Sequence, residues 1–127
     1  MSSNQIFLKC GLCGNLIGLI DDKGISMMCC GQKMTELVPN KVEASTEKHI
    51  PVVNISQCNL SVEVGSVPHP MDEEHYIEFI FVKTEQGGQR KCLKPGMEPK
   101  RDFCLVDDKT IAVYAYCNLH GLWKVDI

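Results

Sequence analysis

Two cysteine pairs, Cys10-Gly-Leu-Cys13 and Cys29-Cys30, lie within the first 30 residues and are separated by fifteen. A segment this short buries too little apolar surface to hold itself together, so the cysteines must supply the staple, as disulfides or as metal ligands. Eight cysteines in 127 residues would suit a disulfide-stapled secreted chain if a leader preceded them. Residues 1–9, however, carry no basic stretch followed by a long apolar run, and no later segment approaches the ~20 apolar residues of a membrane span. The expectation is a soluble, cytoplasmic chain whose thiols stay reduced and bind metal. Four thiolates in one small unit suit tetrahedral iron or zinc, and spacing alone does not choose between them. Gly11, Gly14 and Gly31 beside the cysteines let the backbone curl so that amide N–H groups turn toward the sulfurs. Neighbours on a regular strand point to opposite faces. Cys29 and Cys30 can therefore reach one ion only if the backbone is distorted there.

The second cluster is built on the four histidines of the chain. Cys117 and His120 sit three residues apart in Cys-Asn-Leu-His-Gly-Leu-Trp, close enough to reach one ion from a tight loop, with Gly121 letting the chain turn away behind them. His49 stands in Glu47-Lys48-His49-Ile50-Pro51 and His75 in Glu73-Glu74-His75-Tyr76. His69 lies between Pro68 and Pro70, which disfavour helix and place its imidazole on a stiff loop. Any one of these residues alone is an ordinary core or surface side chain. Together they suggest one metal that uses every histidine in the chain.

The segments around His49, His69, His75 and Cys117-Asn-Leu-His120 resemble the iron site of the superoxide reductases, and the N-terminal cysteines resemble desulforedoxin. Combined, they are similar to the two-iron form, desulfoferrodoxin, over nearly the whole chain. The resemblance implies two iron ions per chain. One would be held by Cys10, Cys13, Cys29 and Cys30 in a desulforedoxin-like domain over residues 1–37. The other would be held by His49, His69, His75, His120 and Cys117 in a domain over residues 38–127. It also implies an immunoglobulin-like topology, a homodimer, and one-electron reduction of superoxide to hydrogen peroxide at the ferrous second site. A rubredoxin-like protein would be the electron donor, and detoxification of superoxide the purpose. Lys48 takes the role of steering and stabilising the anion, and Glu47 that of a carboxylate which closes on the oxidised site.

Net charge −3 argues against nucleic acid as a partner. One basic run stands out, Arg90, Lys91, Lys94, Lys100 and Arg101, with only Glu98 among them. It reads as a solvated face or as a docking patch for an acidic donor. The remaining pattern is all-β. Leu60–Val64 alternates with period two, residues 76–83 are rich in aromatic and β-branched types, Gln86-Gly87-Gly88 marks a turn, and residues 103–106 and 110–116 continue the pattern. About seven short strands without a convincing helix predict a β-sandwich behind the small metal unit. Cys58, Cys92 and Cys104 fall among strand residues and read as small core hydrophobes. Met27, Met28, Met34, Met71 and Trp123 read as packing around the metals. A pure iron electron-transfer protein is the alternative, and a structural zinc module a weaker one that leaves the histidines unexplained.

Overall fold

The computed structural model describes residues 5–127, so part of the stretch read for a leader, residues 1–4, lies outside the described residues. Two compact units divide the chain, one ending at Val38 and one running from Pro39 to Ile127.

The first unit has strands β1 (Ile6–Lys9), β2 (Leu16–Leu19), β3 (Met28–Cys29), β4 (Gln32–Lys33) and β5 (Thr35–Glu36). A small sheet has the order β2-β1-β5, and β3 and β4 form a separate hairpin. Among the described residues of this unit, few apolar ones are buried: Phe7, Leu8 and Cys10. Cys30 and Gly31 link β3 to β4 with φ of 53° and 75°, the mirror-image geometry that suits a two-residue hairpin turn. The distortion expected at the adjacent cysteines is therefore present, and it falls on Cys30. Met27 and Met28, expected as packing, are instead 42% and 60% exposed, because this unit has no core large enough to cover them.

The second unit opens with a single helical turn, α1 (Thr46–His49), where the sequence suggested no helix. Pro51 follows it and cannot donate a backbone hydrogen bond to continue it. Seven strands come next: β6 (Pro51–Ser56), β7 (Asn59–Val64), β8 (Ile77–Thr84), β9 (Gly87–Cys92), β10 (Lys100–Cys104), β11 (Thr110–Cys117) and β12 (Gly121–Asp126). They make two antiparallel sheets, β10-β7-β6 and β12-β11-β8-β9, in the number expected. Leu60, Val62 and Val64 of β7 and Phe103 of β10 join Ile77, Ile80, Val82, Val113 and Ala115 of the other sheet in one buried cluster.

Three details depart from the sequence reading. Gly87 and Gly88 open β9 rather than forming the turn, which Glu85 and Gln86 make; at Gly88, paired with Lys83, a Cβ would overlap the Phe81 ring. Cys58, Cys92 and Cys104 are exposed rather than in the core. On β10 the period-two alternation that buries Phe103 turns Cys104 outward, and Cys58 sits in the turn between β6 and β7. Finally, the pairing of β11 with β8 shifts between Tyr116 and Cys117, a bulge of the kind that re-aims one side chain.

Candidate metal centres

In the first unit the loop between β1 and β2 carries Cys10 and Cys13, and the β3–β4 turn carries Cys29 and Cys30. All four sulfurs lie within 4.8 Å of one another. The Cys13 and Cys29 sulfurs are 3.5 Å apart. Cys10 is buried, and its sulfur accepts from the N–H groups of Leu12 and Cys13, each at 3.4 Å. Asn15 Nδ2 donates to the Cys29 sulfur at 3.8 Å. Those backbone N–H groups pull the Cys10 thiol down to about 6, whereas the Cys13 and Cys10 sulfurs push Cys30 up to about 12. Ionisation of Cys10 is thus helped by the protein, and that of Cys29 and Cys30 is opposed by sulfur crowding. A cation among the four sulfurs relieves that crowding for all of them at once, so the donor set fits a thiophilic metal.

In the second unit four segments converge. α1 presents His49, whose Nδ1–H donates to the Ser45 carbonyl at 2.7 Å. His69 sits in the loop after β7, where its N–H donates to Val64 O at 2.8 Å and its Nδ1–H to Pro70 O at 2.7 Å. His75 closes a tight loop by pairing with Asp72. Cys117 ends β11, and His120 lies in the turn to β12, where Gly121 takes φ 76°.

The rings stand in a square. Centroids of neighbouring rings are 4.6 Å apart for His49 and His69, 4.7 Å for His69 and His75, and 5.0 Å for both His75 with His120 and His49 with His120. Each neighbour is turned 78° to 84° from the next, and His49 faces His75 across the square at 6.4 Å. Donor atoms of His49, His69, His75 and Cys117 all fall within 4.8 Å of one another. His120 joins through Nδ1, which is 3.2 Å from His49 Nε2 and 3.9 Å from the Cys117 sulfur.

The hydrogen bonds test whether a cation fits. Carbonyl oxygens only accept, so the Nδ1 atoms of His49 and His69 carry the protons, and in the neutral rings both Nε2 atoms present lone pairs. These two lone pairs face each other at 3.1 Å. His75 Nε2 is buried with no hydrogen-bond partner at all. Burial lowers the His49, His69 and His75 imidazoles, His69 to about 4, and raises the Cys117 thiol. Neutral, unpaired nitrogens converging on one point are a ligand set, and they fit a transition metal.

Other groups hold the square in place. Trp123, only 2% exposed, stacks on His49 at 4.8 Å, and its Nε1–H donates to His120 O at 3.0 Å. Asn118 accepts from Tyr76 N and donates to Glu74 O, each at 2.9 Å, which ties the Cys117–His120 turn to the His75 segment. The His120 N–H reaches the Cys117 sulfur at 3.4 Å. The Ser45 and Pro70 carbonyls escaped the sequence reading because any residue supplies a carbonyl. Asn118, between the two ligands it positions, offered a readable signal. Lys48 is half-buried, and its charge acts on His49 and His75. Glu47 is exposed, and its carbonyl accepts from Val67 N at 2.9 Å.

Comparison with known proteins agrees with this geometry. The family described as Desulfoferrodoxin matches residues 41–126. A desulfoferrodoxin homolog of Archaeoglobus fulgidus is 42% identical over 116 residues, covering 91% of this chain and 92% of its own. The desulfoferrodoxin of Nitratidesulfovibrio vulgaris is 40% identical over 126 residues, covering 99% of each. Among solved structures, the superoxide reductase from Treponema pallidum superposes with a TM-score of 0.82 at 37% identity, covering 97% of this chain and 99% of its own. The two clusters are consistent with the two iron centres of such proteins.

Proposed function

This chain belongs to the desulfoferrodoxin family, and from that premise we propose that it is a superoxide reductase with two domains, residues 1–37 and 38–127. The observation that carries the reading is the square of four imidazoles beside a fully buried cysteine. His49, His69, His75, His120 and Cys117 hold iron, which when bound supplies the single electron that takes superoxide, with two protons, to hydrogen peroxide. Cys117 is fully buried, whereas His75 and His120 are only half-buried, so the substrate reaches the cluster past the latter two. Imidazole ligands bring no negative charge, so the Cys117 thiolate is the only anionic donor of the set, and the His120 N–H at 3.4 Å steadies its charge.

The protein's net charge repels a small anion at long range, so local positive charge must offset it. Lys48 supplies it: its ammonium attracts superoxide and stabilises the peroxide charge as it develops. Glu47 is the carboxylate that closes on the oxidised site. Solvent water supplies the protons.

The donor is a rubredoxin-like protein with an acidic face, docking on the run from Arg90 to Arg101. Lys91 there donates to Asp102 O and lies over the Phe103 ring at 5.0 Å, and Lys100 pairs with Glu63 at 3.7 Å. Arg90 is likewise held, over the Phe79 ring at 5.9 Å and donating to the Cys92 sulfur at 2.9 Å, so exposed Lys94 is the stronger docking charge. Cys10, Cys13, Cys29 and Cys30 hold the second iron, and the sparse core of their unit favours a staple over an electron relay. Exposed Leu12, Ile20 and Ile25 provide apolar surface for a homodimer. The site of action is the cytoplasm, where superoxide is detoxified and the metal-binding cysteines, free of disulfides, stay reduced. Among the described residues no helix is long and apolar enough to cross a membrane.

The test is to mix reduced, iron-loaded protein with superoxide under anaerobic conditions and count products. Reduction yields one peroxide per superoxide and no dioxygen, and Lys48→Ala slows it with the peroxide yield unchanged. Dioxygen released in step with peroxide would mean dismutation, and no reaction would leave an electron-transfer protein.

A further inference from the structure

The cysteines that the core does not use include a pair. Cys58, in the turn between β6 and β7, and Cys104, the last residue of β10, place their sulfurs 3.8 Å apart across 46 residues of sequence. Both are exposed. Their backbones are fixed: Cys104 is registered opposite Asn59, Leu105 N donates to Cys58 O at 2.7 Å, and Gln89 Nε2 donates to Cys104 O at 2.9 Å. A disulfide bond is about 2.05 Å long, so rotation about the side-chain bonds closes the gap without unpairing the strands. A metal is the poorer use for this pair, since among the described residues no third histidine, cysteine or carboxylate joins them.

We infer that Cys58 and Cys104 form a peroxide-oxidised dithiol, a modification site that closes into a disulfide. The Cys58 thiolate attacks one oxygen of hydrogen peroxide, the O–O bond breaks, a sulfenic acid forms, and hydroxide leaves as water after taking a proton. The Cys104 sulfur then attacks the sulfenic sulfur, the S–S bond forms, and the second water departs with the remaining proton. One peroxide is reduced to two waters while two thiols lose two electrons. The order of attack follows from the hydrogen bond: the Cys104 thiol donates to the Cys58 sulfur, and that neighbour holds Cys104 in its protonated form. Peroxide as the natural oxidant rests on the reductase reading, since it is that reaction's product. The reactivity of the pair does not.

The position of the pair fits a response that spares catalysis. His49 lies two residues before the Pro51 end of β6, whereas Cys58 lies two residues after its Ser56 end, and the strand between them spans roughly 17 Å. The bond joins the β6–β7 turn to the neighbouring edge strand β10 and leaves the square of imidazoles alone.

The experiment treats reduced, iron-loaded full-length protein with reagent hydrogen peroxide, alkylates the remaining thiols and maps the peptides. Alkylation of Cys58 and Cys104 falls together by about tenfold, their peptides appear joined, dithiothreitol restores both, and Cys92 stays alkylatable. Cys58→Ser leaves Cys104 unable to form the link, and the closed wild-type protein has a higher thermal midpoint than the double serine variant. The inference is overturned if both thiols remain alkylatable, if each is oxidised alone without a link, or if either links to Cys92. Because the peroxide is added, a positive result beside a failed superoxide assay would count against the reductase reading and leave the dithiol standing.

Discussion

Gly65→Ala will damage the histidine site although Gly65 is no ligand. A Cβ there would sit 2.5 Å from Glu47 O, 2.9 Å from Ile50 O and 3.1 Å from the Lys48 carbonyl carbon. All three are backbone atoms, so no side chain can swing aside, and ordinary contact at Glu47 O requires α1 to retreat by about 0.9 Å. α1 carries His49, whose Nε2 is 3.1 Å from His69 Nε2, and metal–ligand distances tolerate only about 0.2 Å. Added volume in a packed site costs about 1–3 kcal/mol. Displacement of a ligand-positioning element lowers metal affinity by roughly 10–100-fold. The assay pairs an iron competition titration with a thermal midpoint, so that loss of iron by a folded protein is distinguished from unfolding. Iron affinity equal to the parent protein, with an unshifted midpoint, would refute the claim that α1 is held in place by the missing side chain.

Three further outcomes follow from the same geometry. Trp123→Phe keeps a ring against His49 but removes the donor to His120 O, costing about 1 kcal/mol in a denaturant titration; Trp123→Ala empties a core site and costs about 3–5 kcal/mol. Cys10→Ser, or chelation of the first site, abolishes hydrogen-exchange protection in β1 and β2 while β8 and β11 stay protected, because the first unit buries so few apolar residues. With metal removed, burial keeps His69 near 4 when folded against 6.5 when unfolded. The unfolded chain then takes up protons first, so stability is full above 6.5 and declines as pH falls toward 4. A denaturation midpoint that does not move over that window would contradict it.

The sequence made the metal residues legible because their chemistry is local: Cys-x-x-Cys, a paired Cys-Cys, and Cys117 with His120 each declare themselves within a few residues. The central strands were legible for a related reason, since β7 and β8 bury alternating residues. What escaped notice lies at the edges. β6 buries little besides Pro51, and β12 follows a turn whose residues read as ligands, so neither shows a clear period. The exposed cysteines were misread because composition says buried while register says otherwise, and Phe103 next to Cys104 already contained the answer. α1 is a single turn of Thr-Glu-Lys-His, shorter than any helical period can reveal.

Antiparallel topology explains how residues 71 positions apart in sequence, His49 and His120, come to share a site. β6, β8 and β12 begin, and β7 and β11 end, at one end of the two sheets, as the pairings Pro51 with Val64, Ile77 with Cys117 and Cys117 with Gly121 require. Every candidate ligand of the second site therefore sits in a connection or strand terminus at that end, and strand pairing sets their spacing. The turns after β6, β8 and β10 project from the opposite end. An insertion at Gln86 should leave iron binding intact, whereas one residue added within β11 would turn Cys117 to the other face of its sheet and remove the thiolate from the cluster.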